Sequence, residues 1–135
     1  MGYDIDEIEG IGPANKEKLA SVDIKSTDDF LKLCCDKKGR EAIAEKTGIG
    51  EGHLLNWANM ADLMRISGIG RRYSELLEAA GVDTVKELKH RRADNLAAKM
   101  AEVNAEKNLA KSTPAESVVS EWIAQAKEME PTITH

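Results

Sequence analysis

Aromatic residues make up 4% of this 135-residue chain, which carries three prolines and two cysteines. With aromatics and proline scarce and Ala, Leu, Glu and Lys abundant, intrinsic propensity favours helix, so the expected fold class is all-α. Cys34 and Cys35 are neighbours. Adjacent cysteines are poor geometry for a disulfide and lack the spacing of a zinc site, which leaves them as plain helix residues with at least one buried. No apolar run is long enough to cross a bilayer, so no membrane partner is expected. The opening MGYDIDEIEG holds neither a basic leader nor an apolar stretch, and the expectation is a cytoplasmic protein without a signal peptide.

Positive charge is also short. The net charge is −5, which argues against a general nucleic-acid glue, because affinity for phosphate backbones comes largely from Lys and Arg releasing counterions. The average hides an asymmetry: residues 65–99 hold eight cations against five anions, a local excess of three, so the remainder carries −8. A face that meets an anionic polymer is expected in this third quarter.

What the chain does have is a pair of matching turns. IEGIG at 8–12 returns as ISGIG at 66–70, an offset of 58 that also pairs Leu19 with Leu77, Ile24 with Val82, Ser26 with Thr84 and Phe30 with Leu88. Turn glycines, core positions and a helix-start hydroxyl agreeing in one register predict a repeated supersecondary unit. After each turn a helix opens at Pro13 or Arg71, running to about Ala20 and Ala80, with Gly81 a natural left-handed stop. Ser26 with Asp29 and Thr84 with Glu87 then read as hydroxyl-and-acid caps for further short helices. A third Gly-Ile-Gly, at 48–50, precedes a helix with Leu54, Trp57, Ala58 and Ala61 at helical spacing. Its fourth counterpart, near 101–104, lacks the glycines; pairing Ile49 with Val103 and Trp57 with Trp122 implies about eleven inserted residues. Thr113, Pro114 and Glu116 form a capping box before the last helix. The chain thus divides into a first unit, 1–62, a second, 63–130, with an insertion near 104–114, and a frayed tail, 131–135. Both tryptophans are expected as core anchors.

Two short helices joined by a Gly-hydrophobic-Gly turn, the second opening straight from the last glycine, resemble the helix-hairpin-helix motif. Two such hairpins in each unit are similar to the paired, SAM-like form of that fold, packed as one compact unit or two small subdomains. Over roughly residues 4–128 the chain resembles small uncharacterised bacterial domain-of-unknown-function proteins with tandem hairpins. A tight turn of this kind exposes consecutive N–H groups at a helix N-terminus, where free donors and the helix dipole favour an anion. The resemblance implies that hairpin amides hold DNA backbone phosphate, often helped by a bound monovalent cation and by basic residues after the second glycine.

Carried onto this sequence, the match is best at Gly68, Ile69 and Gly70, flanked by Arg71 and Arg72, with small Ser74 at the helix crossing. Lys89, Arg91 and Arg92 extend the basic segment. Gly10, Ile11 and Gly12 form a secondary turn, where Pro13 removes a donor and Lys16 departs from the small residue of the pattern. Asp4, Asp6, Glu7 and Glu9 nearby would repel phosphate. The expectation is weak, salt-sensitive, sequence-independent DNA binding, with no other cofactor, no metal and no small-molecule substrate. His53, His90 and His135 are scattered without a nucleophile or metal partner, so no catalysis is expected. The alternative is a protein-interaction or scaffold module whose hairpins are purely structural.

Overall fold

The computed structural model describes residues 3–134. Among the described residues a 3-10 turn at Ile5–Glu7 leads to eight helices: α1 Pro13–Ala20, α2 Thr27–Cys34, α3 Lys37–Thr47, α4 Glu51–Leu63, α5 Arg71–Ala79, α6 Val85–Leu88, α7 Ala93–Lys107 and α8 Glu116–Lys127. Among the described residues there is no strand, and one isolated antiparallel bridge joins Asp4 to Ser26. The chain is all-α.

Helix starts follow local chemistry. Ser26 Oγ accepts from the Asp29 amide at 3.1 Å and Thr84 Oγ1 from the Glu87 amide at 3.3 Å, each satisfying one orphan donor of the first turn. Asp36 does the same for α3, accepting from the Gly39 amide at 2.7 Å. The last helix departs from expectation. Its N-cap is Ala115, with no side-chain cap bond, so Thr113 caps nothing. A capping box headed by Thr113 would place the proline at the first helical position, whereas Pro114 precedes the cap and is buried, so the helix opens only at Glu116.

Buried side chains gather into two clusters. The first holds Ile5, Ile8, Leu19, Phe30, Leu54 and Trp57 among others; the second holds Leu63, Ile66, Leu76, Leu77, Met100 and Trp122. Helix α4 and its C-cap serve both, since Met60 and Met64 pack in the first cluster while Leu63 packs in the second. Near the helix end, the Asp62 carboxylate is 1% exposed and doubly satisfied, accepting from Arg65 Nη1 at 2.7 Å and from the Val85 amide, which opens α6, at 2.8 Å. Val103, which the sequence pairs with Ile49, lies inside α7. The residue whose geometry matches Gly48 (φ +78°) is Asn108 (φ +52°), each donating its amide four residues back, to Ala44 and Asn104, at 2.8 Å. The extra length falls partly in α7, with 15 residues against 11 in α3, and partly in the loop that follows Asn108.

The expectation of a frayed tail is corrected for residues 131–134; His135 lies outside the described residues. Ile133 is buried in the first cluster, and Thr134 donates its amide to Cys35 O at 2.8 Å. Buried Arg40 donates to Cys34 O at 3.0 Å and Thr134 O at 2.6 Å, while Arg65 donates to Thr132 Oγ1 at 2.7 Å and Glu130 O at 3.3 Å. The tail leaves the second cluster and closes over the first, where it supplies a carbonyl that a buried guanidinium requires. Ile133→Ala should therefore lower unfolding free energy by about 2 kcal/mol in urea denaturation, the scale of a core Ile truncation, and a frayed tail would show no change.

Candidate nucleic-acid interface

The turn at 66–70 is tied to the core by its hydrophobic residues. Ile66 donates its amide to Leu63 O and Ile69 to Ile66 O, both at 3.1 Å, and both side chains are fully buried. The turn at 8–12 has the same bonds, Ile8 to Ile5 O and Ile11 to Ile8 O, both at 3.2 Å. The first glycines are left-handed, Gly10 at φ +98° and Gly68 at φ +97°, and each lies against an indole. A Cβ on Gly10 would sit 3.1 Å from Trp57 Nε1, and one on Gly68 3.0 Å from Trp122 Nε1. The two indoles are 4% and 2% exposed, so they anchor helices and offer no face for base stacking.

The second glycines behave differently. Gly12 and Gly70 are extended N-caps, with nothing within 4 Å of an added Cβ. Space is therefore left open above the N-terminus of α5, and among the described residues the amides of Gly70, Arg71, Arg72 and Tyr73 find no acceptor. Orphan donors at a helix start carry the positive end of the macrodipole and suit an anion. Ser74 is fully buried at the crossing and donates its hydroxyl to Arg71 O at 2.9 Å. Its counterpart Lys16 stays exposed and pairs with Asp6 at 3.1 Å, so it turns away from the place Ser74 fills.

The cations are not free. Arg71 Nε donates to Glu9 Oε2 at 2.6 Å, and Arg72 Nη1 lies 3.9 Å from the same oxygen. The Glu9 hydrogen bond leads in pushing Arg71 above its ordinary value, against the effect of burial. Lys89, Arg91 and Arg92 do not join this site. Lys89 donates to Met129 O at 3.1 Å beyond the end of α8; Arg91 donates to Glu87 at 3.0 Å and to Gly81 O at 3.0 Å; Arg92 pairs with Asp94 at 2.9 Å. Gly81 follows α5 while Arg71 opens it, so Arg91 is bonded at the opposite end of a helix about 13 Å long.

A cation that sequence reasoning passed over lies closer. A groove of about 500 Å³ beside the α5 opening is lined by Arg72, Tyr73, Asn108, Lys111 and Ser112 with their neighbours and by no carboxylate. Lys111 forms no ion pair among the described residues. Only the fold brings this loop against α5, and nothing in its local sequence marks it. A larger groove of about 760 Å³ is of mixed charge, lined by Lys18, His53, Trp57, Glu75, Glu78 and Lys107 among others. Burial raises the pKa of Glu75, with Glu9 adding to it, and burial raises that of Glu78, with Asp83 and Glu75 adding. Among the described residues no group of His, Cys, Asp and Glu gathers as a metal site.

The two glycines of the second turn should respond differently to a methyl group. Gly68→Ala should destabilise by about 1–2 kcal/mol, from left-handed backbone strain together with the indole contact, while Gly70→Ala should change stability by less than about 0.5 kcal/mol. Equal losses in chemical denaturation would contradict their distinct roles. For Glu78, a folded pKa raised above its ordinary 4.5 means that the ionised form burdens the fold at neutral pH. Glu78→Gln should therefore raise Tm at pH 7, and the gain should shrink as pH falls through the raised pKa towards 4.5; a gain independent of pH would exclude this cause.

Among the described residues no helix is long and apolar enough to cross a membrane. No curated protein and no solved structure matches the chain. The model of one family, described as Domain of unknown function (DUF4332), matches residues 9–129, and with most of its length inside that match the chain belongs to this family.

Proposed function

We propose that the chain is a non-catalytic module of paired helix-hairpin-helix type that binds nucleic-acid backbone, DNA in particular, weakly and without sequence preference through the 68–72 turn. The observation that carries this reading is the open start of α5: four amides without acceptors, above a glycine with clear space, beside Arg71 and Arg72. The matched bonds and dihedrals of the 8–12 and 66–70 turns support the hairpin assignment. The groove with Lys111 and Ser112 offers a second phosphate a place next to the first. Contacts of this kind read shape and charge, with no side chain directed at base edges. Lys89 is bonded at the end of α8 and Arg91 and Arg92 lie at the far end of α5, so the contact set at this turn reduces to Arg71, Arg72 and Lys111 with the turn amides. So few contacts suit dissociation constants of about 10⁻⁴ to 10⁻⁶ M.

A second reading, a protein-interaction or scaffold module, draws support from the internal pairing of those cations and from the burial of Ile11 and Ile69 in the core. Fluorescence anisotropy with a labelled duplex and a labelled single strand separates the two. Under the first reading binding is saturable and weakens with salt. Arg72→Glu/Lys111→Glu abolishes it with circular dichroism unchanged, while Arg92→Gln leaves it within about twofold. Absence of binding at low salt up to high micromolar protein sinks the nucleic-acid reading and leaves the scaffold.

A further inference from the structure

Glu9 belongs to the first turn, yet its carboxylate lies at the second. Its backbone is held in place by its neighbours: Ile8 is fully buried and Gly10 is left-handed against the Trp57 indole. The side chain makes no other hydrogen bond among the described residues, and one oxygen, Oε2, takes both the 2.6 Å bond from Arg71 and the 3.9 Å contact from Arg72. The corresponding place in the second turn, 58 residues on, is neutral Ser67, whose amide donates to Gln125 Oε1 at 3.0 Å and whose carbonyl accepts from Gln125 Nε2 at 3.3 Å. A carboxylate aimed at the start of α5 is therefore particular to the first turn and is not required by the turn itself.

A carboxylate on two guanidiniums beside a helix N-terminus has the charge, and through Oε2 the hydrogen bond, that a phosphate oxygen would have there. We propose that Glu9 is a built-in competitor for the 68–72 turn: its carboxylate masks Arg71 and Arg72, and a phosphodiester of a nucleic acid must displace it to bind. This rests on the nucleic-acid reading and adds to it an autoinhibitory contact between the two turns. The phosphate enters as the Glu9 side chain swings into water, a move that breaks no other bond of Glu9 and leaves the buried Ile8 and Gly10 in place. Apparent affinity is then the intrinsic affinity multiplied by the fraction of molecules with Glu9 released. For a partly exposed ion pair that fraction corresponds to a loss of about two- to fivefold. Salt weakens the mask as well as the phosphate contact, so the masking factor shrinks as ionic strength rises.

The test compares wild type, Glu9→Gln and Glu45→Gln against one labelled single strand of about 20 nucleotides and its duplex, by anisotropy, from low to moderate salt. Glu45 is exposed on α3 and forms no ion pair among the described residues, so its variant makes the same change in net charge without touching the turn. The expected result is about two- to fivefold tighter binding for Glu9→Gln at low salt, a gap that narrows with salt, and little change for Glu45→Gln. Wild-type binding that Glu9→Gln fails to strengthen beyond Glu45→Gln overturns the masking role and leaves the nucleic-acid reading standing. No binding by any of the three proteins, all folded by circular dichroism, overturns both.

Discussion

The ion pair of buried Asp62 with Arg65 holds the arrangement on which the rest depends. A carboxylate taken out of water is stable only when it is paired and its remaining hydrogen-bonding capacity is met. Asp62 meets it by capping the amide of Val85 at the start of α6, while Arg65 grips Thr132 and the carbonyl of Glu130. The end of α4 thereby joins the second cluster to the tail that packs on the first. The 66–70 turn begins where this helix ends, with Arg65 and Ile66 bonded to Asp62 O and Leu63 O at 3.1 Å. Helix α5 opens directly from that turn, with Arg71 opposite Glu9.

Within each turn two demands are divided between two glycines. Gly10 and Gly68 meet the packing demand, taking backbone angles and a closeness to tryptophan that a side chain would strain. Gly12 and Gly70 adopt angles open to any residue, and their missing side chains leave clear space above a helix start. At α1 that start has lost one donor to Pro13, and at α5 it is flanked by arginines. Similar backbones thus present different surfaces.

Charge counted along the chain differs from charge presented in space. The excess of cations over residues 65–99 suggested one basic face. Folding distributes those cations among carbonyls and carboxylates: Arg65 to the tail, Lys89 to the end of α8, Arg91 across to Gly81, Arg71 to Glu9. A long cationic side chain often serves as a staple for carbonyls at helix ends, where dipole and orphan acceptors favour it. Two grooves keep a lining free of carboxylates: the small one by Arg72 and Lys111 at the start of α5, and one by His90, Arg91, Arg92 and Lys99 at its other end.

The all-helical class, the caps at Ser26 and Thr84, and the burial of Ile11, Ile69, Trp57 and Trp122 were legible because each depends on signals within a few residues or on a helical period. So were the three Gly-Ile-Gly turns, because a left-handed residue followed by a buried plug is written in consecutive letters. The capping box at Thr113 misled because Pro114, buried before the cap, set where the helix could begin. Packing decided that PTIT closes over the first cluster, that Glu9 faces Arg71 across 62 residues, and that Lys111 stands beside Arg72. These pairings join segments distant in sequence, and an ion pair leaves no local periodicity by which its partner could be found. Short-range chemistry along the chain was enough to set which segments become helices and where they turn; which charges are neutralised within the protein, and which stay exposed, was set by long-range packing alone.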